Sequence, residues 1–370
     1  MRIALLSPPF KKDYMRNARC DFVSLSATQW YPLWLGYAGA WLEHCGHEVN
    51  LIDAPSRYMT EEDVARELSK WGPDLLVVYP GQKSRANDVE IADRLTDKLR
   101  CMSVFVGPYF GARPVDTLKM SRNVQYGIVS EMEYPLAELA AGRRPNEIQN
   151  LLYRDGDAIV ANEKRPYLTS KQLDQIPFVS RFFQKHVQIR DYKTISEFYP
   201  FMDILTGRGC NWGQCTFCLW VHTHVTGFTY NIRSVENVLD EFDYIVSDIP
   251  EIRGVMLQDD MLTDNRALEF SAQKIRRKNK LAWSCYARSN LTYETMRVMK
   301  QAGCRVVHVG YESADQKINY AIKKGVTVKK MTEFTRDAKR AGLTSTATLS
   351  SVFRARRGRP PKRRSAGPRK

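Results

Sequence analysis

Apolar positions in the first 145 residues fall into two kinds of run. Short continuous ones, Ile3–Leu6, Val49–Ile52, Asp74–Tyr79, Ser103–Val106 and Val124–Val129, have the length and β-branched content of buried strands. Between them apolar residues recur three and four apart. Trp34, Ala38, Trp41 and Cys45 form one such stripe, ending at Gly46. Val64, Leu68 and Trp71 form another behind a Thr60-x-x-Asp63 cap, and Ile91, Leu95 and Leu99 a third. A last helix is predicted near Glu133–Ala141. Strands alternating with amphipathic helices predict an α/β domain over residues 1–145, built on a doubly wound parallel sheet.

The pattern then changes. Leu151–Val160 reads as a hairpin around Asp155-Gly156, followed by an extended stretch punctuated by Pro166 and Pro177. Residues 146–200 are therefore read as hairpin and linker. From 201 to 350 strand and helix signals alternate again. Predicted strands are Met202–Thr206, Gly254–Leu257, Leu281–Tyr286, Arg305–Val309 and Leu343–Leu349. Helices fall at Val235, Leu239 and Phe242 (opened by Ser234), at Thr292–Ala302 and at Thr327–Ala341. Units of this kind predict a barrel or partial barrel.

Charge adds one distinction. The net charge is +15, but nine of those fifteen positive charges fall in residues 354–370, which hold no acid. Six are left over the other 353 residues, a mildly basic body. Residues 351–370 have no apolar periodicity and are expected to be a disordered basic tail. Within it, Arg357-Gly358-Arg359-Pro360-Pro361-Lys362-Arg363-Arg364 resembles an AT-hook, whose Gly-Arg-Pro core lies in a narrow minor groove. No apolar run approaches the roughly 18 residues of a membrane span. Met1–Pro9 is too short for a signal segment, so a cytoplasmic protein with reduced thiols is expected.

Chemistry concentrates in Gly207-Arg208-Gly209-Cys210-Asn211-Trp212-Gly213-Gln214-Cys215-Thr216-Phe217-Cys218. Three thiolates at C-x4-C-x2-C in a Gly-rich loop can face one point. Soft thiolates select zinc, copper(I) or iron–sulfur clusters. His222 lies close enough to complete a Cys3His zinc tetrahedron. With three protein thiolates only, a cuboidal cluster keeps one iron open to a substrate. Barrel sites sit at the carboxyl ends of the strands. There the chain places Gln258, Asp259 and Asp260, then Arg288, then Tyr311, Glu312 and Ser313. No G-x-G-x-x-G occurs, so a nicotinamide or flavin dinucleotide is not indicated.

The loop, with Phe217 just before its last cysteine, resembles the cluster loop of the radical S-adenosylmethionine (SAM) superfamily, although that family's usual spacing is C-x3-C-x2-C. The resemblance covers residues 201–350 and implies a radical SAM partial barrel. It implies a 4Fe–4S cluster on Cys210, Cys215 and Cys218, and SAM as second cofactor. By the same resemblance, Gln258, Asp259 and Asp260 lie where the SAM amino group is met, Arg288 meets the carboxylate, and Glu312, beside Ser313, meets the ribose. Tyr230-Asn231-Ile232-Arg233-Ser234 resembles the segment after the cluster loop in cobalamin-dependent members. Residues 1–145, with Gly46-His47-Glu48-Val49 and Val106-Gly107-Pro108, resemble the Rossmann-like cobalamin-binding domain of those members. The D-x-H-x-x-G signature is absent, so cobalamin without a histidine lower ligand is implied, and His44 and His47 are read as surface residues.

Together these imply radical cleavage of SAM to a 5′-deoxyadenosyl radical, and cobalamin-dependent methylation of an unactivated carbon in a small-molecule substrate. An electron donor such as ferredoxin or flavodoxin is implied as partner. The alternative reading is a zinc-stabilised binding protein whose AT-hook-like tail contacts nucleic acid. The family's partial barrel has six strand–helix units, whereas five are legible here before the tail. The expectation is a chain truncated at its C-terminus, with a non-native end.

Overall fold

The computed structural model describes residues 1–16 and 20–350. The expectations of disorder and of an AT-hook over 351–370 fall outside the described residues.

In the first half the strands are β1 (Arg2–Ser7), β2 (Tyr14–Arg16), β3 (Asp21–Val23), β4 (Glu48–Asp53), β5 (Leu75–Val78), β6 (Met102–Phe105), β7 (Tyr126–Ile128), β8 (Leu151–Asp155) and β9 (Ala158–Ala161). One sheet takes the order β4-β1-β5-β6-β7-β8-β9. Its first five strands are parallel, with Ile3 beside Val49 on one side and Leu75 on the other. Chain order reverses between β1 and β5, the doubly wound switch point. The hairpin expected at 151–160 is β8–β9, and it extends this sheet antiparallel to β7. The two-stranded ribbon β2–β3 has no counterpart in the sequence reading, because three-residue strands are too short for alternation to register.

In the second half the strands are β10 (Phe201–Ile204), β11 (Gly207–Gly209), β12 (Tyr230–Ile232), β13 (Gly254–Leu262), β14 (Ala282–Ala287), β15 (Cys304–Glu312) and β16 (Thr344–Leu349). β10-β13-β14-β15-β16 form an open parallel sheet in chain order, with no closed barrel among the described residues. β11 and β12 form a separate antiparallel ribbon above it.

The helix Leu33–His44 is the seam between the halves. It is buried nearly all round, from Leu33 to Ala40 and again at Leu42. A helix apolar on every face has to be enclosed. Tyr37 from this helix donates its hydroxyl to the Leu205 carbonyl and accepts the Leu205 N–H at 2.8 Å. Just before it, Tyr31 donates to the Phe201 carbonyl at 2.8 Å. One apolar core therefore runs from the first sheet through this helix into β10 and β13. No helix among the described residues is long and apolar enough to cross a membrane.

Candidate functional site at the three-cysteine loop

The cysteine loop is fixed from below before any ligand is considered. β10 ends at Ile204, and Thr206 is then held by Asp259, which accepts its backbone N–H at 2.6 Å and its hydroxyl. β11 follows and pairs with β12, Gly207 beside Ile232 and Gly209 beside Tyr230. Gly209 donates its N–H to Asp260 Oδ2 at 2.8 Å. Cys210 then comes within 3.6 Å of the Met261 sulfur. The loop turns at Gly213, whose φ is +62°. A Cβ there would lie 2.1 Å from the Gly227 carbonyl oxygen, so only glycine fits.

Cys210, Cys215 and Cys218 line one cavity of about 480 Å3 with Asp260, Tyr286, Arg288, His308, Glu312 and Lys324. Burial pushes the Cys215 thiol up, and Lys324 and Arg288 draw it back toward the thiolate. Burial also raises Cys218. Volume alone does not identify this site. A cavity of about 620 Å3 lies around Asp53, His186 and Tyr192, and another of about 590 Å3 around Pro9, Pro55 and Asn87, neither with a cysteine.

Of the sequence-predicted residues, the cavity brings together the three cysteines, Asp260, Arg288 and Glu312. Arg288 donates to the Lys324 carbonyl at 2.6 Å, and Glu312 pairs with the Lys324 ammonium at 2.9 Å. The other three do not line it. Gln258 is buried on β13 and donates to Asp203 at 3.2 Å. Asp259 faces Thr206, and burial raises its carboxyl to about 6. Ser313 lies in the turn after β15, where its hydroxyl accepts the Asp315 N–H. β13 is irregular between Leu257 and Leu262, and there Asp259 is taken up by Thr206 while Asp260 reaches Gly209 and the cavity. Lys324, His308, Tyr286 and Cys20 were missed. Lys324 arrives from a loop more than a hundred residues beyond the cysteines, with no motif to mark it. His308 and Tyr286 carried a usable signal, being polar residues near the carboxyl ends of predicted strands.

The donor set suits a cluster better than a zinc ion. Zinc needs four ligands within about 2.3 Å of one point. Among the described residues no three cysteine, histidine, aspartate or glutamate side chains converge in that way. His222, the fourth ligand a zinc site would use, donates from Nε2 to the Cys215 carbonyl at 3.1 Å. Three soft thiols lining one cavity are the donor set of a cuboidal group that takes one thiolate per iron.

The carboxyl ends of the first sheet hold a further buried polar group. The Tyr79 hydroxyl is buried there without a hydrogen-bond partner among the described residues. A buried hydroxyl left unpaired costs about 1–3 kcal/mol. His44 and His47 are not near it. His47 Nδ1 sits 3.5 Å from the Met1 amino group, at the opposite end of β1.

Comparison with known proteins fits this geometry. Residues 204–354 match the radical SAM superfamily model. An uncharacterized methyltransferase of Pyrococcus horikoshii is 26% identical over 353 residues, covering 93% of this chain and 72% of the relative. Cytidylyl-2-hydroxyethylphosphonate methyltransferase of Streptomyces wedmorensis is 23% identical, covering 85% of this chain and 67% of the relative. Among solved structures, the cobalamin-dependent SAM radical enzyme OxsB, with aqua-cobalamin and SAM bound, superposes with a TM-score of 0.69 at 16% identity. It covers 94% of this chain, which spans only 48% of that enzyme's length. Residues 204–354 therefore carry the radical SAM match, and the two sheets together share the fold of OxsB.

Proposed function

We propose that the chain is a radical SAM methyltransferase. Cys210, Cys215 and Cys218 would hold a 4Fe–4S cluster, and Asp260, Arg288 and Glu312 would receive SAM beside it. The strand ends around Tyr79 would receive cobalamin. When bound, the cluster and SAM together supply a 5′-deoxyadenosyl radical able to take hydrogen from an unactivated carbon, and cobalamin supplies the methyl group.

The chain's own residues do three things. Asp260 serves twice, holding the loop backbone through Gly209 and lining the cavity where its negative charge would face an ammonium. Arg288 and Lys324 set positive charge against a carboxylate, while Asp260 and Glu312 balance them. The seam packs Trp34 against Trp220 and His224, which keeps water out between the two ligand positions. A small electron-carrying protein such as ferredoxin or flavodoxin would be the partner, and a small molecule the substrate.

The observation that carries this reading is one cavity holding three thiols and four balanced charges at the strand ends. The test is anaerobic reduction of the reconstituted chain with dithionite and SAM. Formation of 5′-deoxyadenosine and methionine, with hydroxocobalamin retained on dialysis at tens of micromolar, is expected. Intact SAM after reduction would refute the radical reading. Cleavage without cobalamin retention would leave the radical chemistry and remove the methylation.

A further inference from the structure

Trp212 stands in the four-residue gap between Cys210 and Cys215, one residue longer than the family's usual gap. Its indole nitrogen donates to the Lys323 carbonyl at 2.8 Å. Its ring lies 5.0 Å from the Arg288 guanidinium carbon, in cation–π range. Against the ring packs Gly325, with φ of +70°, where a Cβ would lie 2.1 Å from the indole. Beside it, Thr216 donates its N–H to the Ile322 carbonyl at 3.1 Å. Arg288 closes the set by donating to the Lys324 carbonyl. Three successive carbonyls, of Ile322, Lys323 and Lys324, are thus bound by the cysteine loop or by Arg288. The segment that presents the Lys324 ammonium to the cavity is bolted to the cysteine loop through Trp212.

This matters because two acids, Asp260 and Glu312, line the same cavity. A carboxylate brought there is repelled unless both cations stay in place. A lysine left to its own rotamers gives up side-chain entropy on being ordered. Holding its backbone and the neighbouring arginine in advance removes part of that cost.

On the reading that this cavity takes SAM, we infer that Trp212 is a positioning residue for the SAM carboxylate. It fixes Arg288 through its ring and Lys324 through the 322–325 backbone, so that the two cations meet the carboxylate as a pair. Lys324 is thereby a SAM-binding residue.

The test compares iron-loaded wild type, Trp212→Ala, Trp212→Phe and Lys324→Met by equilibrium dialysis with two probes. One is SAM. The other is 5′-methylthioadenosine, which lacks the amino-acid moiety. Trp212→Ala is expected to keep its iron and its affinity for methylthioadenosine, and to bind SAM about tenfold more weakly. Lys324→Met should show the same selective loss, and Trp212→Phe should recover most of the affinity because the ring face over Arg288 remains. Equal SAM binding by wild type and Trp212→Ala would overturn the positioning role and leave the functional reading standing. Parallel loss of iron and of both probes, unrescued by Trp212→Phe, would also overturn it, leaving Trp212 a structural bolt. An iron-loaded wild type that binds no SAM would refute the functional reading, and this inference with it.

Discussion

The Arg208 guanidinium and the Glu133 carboxylate lie 2.6 Å apart, and their side chains are 2% and 1% exposed. Arg208 is two residues before Cys210, and Glu133 begins the helix after β7, so this pair ties the cysteine loop to the first sheet. Glu131 joins at 2.9 Å, and the guanidinium lies over the Trp34 and Tyr37 rings. Burial pushes Glu131 up. It acts the same way on Glu133, but there the Arg208 charge and hydrogen bond, together with a backbone hydrogen bond, outweigh it and hold that carboxyl below its usual range.

Removing one partner of a buried pair strands the other, at about 3–5 kcal/mol. Arg208→Ala is therefore expected to lower the midpoint of urea unfolding and to impair iron loading. Arg208→Met combined with Glu131→Gln and Glu133→Gln should recover most of the stability, since no charge is then left alone. Equal midpoints for Arg208→Ala and wild type would show the tie to be energetically idle.

His224 sits at the same seam, fully buried against Trp34. Burial, with the Arg208 charge beside it, lowers its pKa from the ordinary 6.5 to about 4, with Glu133 and Asp260 opposing. A base with a depressed folded-state pKa is protonated in the unfolded chain first. Its contribution is therefore full above pH 6.5 and is lost as pH falls toward 4, on the order of 3 kcal/mol. Buried acids such as Asp53 and Asp259 run the other way over part of this range. The clean measurement is the difference between wild type and His224→Phe. Wild type should lose stability relative to the variant between pH 6.5 and 4, by thermal unfolding. A pH-independent difference would contradict the buried neutral imidazole.

Asp259 and Asp260 should separate. Asp259→Ala strips the acceptor from the Thr206 N–H and hydroxyl, and a loss of about 1–3 kcal/mol in stability is expected. Asp260→Ala is expected to cost less stability and to weaken SAM binding by about tenfold. Dialysis and unfolding on both variants check this, and the reverse assignment would overturn this division of roles.

How much of this was legible follows from the same pair of residues. Long buried strands announced themselves as continuous apolar runs, and the cysteine loop as a spacing of soft ligands. The different roles of Asp259 and Asp260 were not legible locally, because β13 is irregular between Leu257 and Leu262 and only the placement of Thr206 and Gly209 decides which carboxylate each one takes. Lys324 carries no local signal at all. It reaches the cavity only because its segment folds back onto Trp212 and Arg288. The ribbon β2–β3 was hidden by its length, although Arg16 from it donates through Nη2 to both carboxylate oxygens of Asp88 at 2.9 Å, at the end of β1.

Gly213→Ala addresses the loop itself. A Cβ at a φ of +62°, in contact with the Gly227 carbonyl, must move the turn between Cys210 and Cys215. Far-ultraviolet circular dichroism is expected to stay near wild type while iron content falls by more than about half. Full loading in the variant would mean that the loop reshapes freely around its ligand.

Metal analysis after anaerobic reconstitution tests the central claim most directly. Wild type is predicted to hold about four iron and four sulfide per chain, with an electron paramagnetic resonance signal on reduction that changes when SAM is added. Cys210→Ala, Cys215→Ala and Cys218→Ala should each lose most of that iron. Stoichiometric zinc with no iron, or iron that survives the loss of Cys215, would contradict the account.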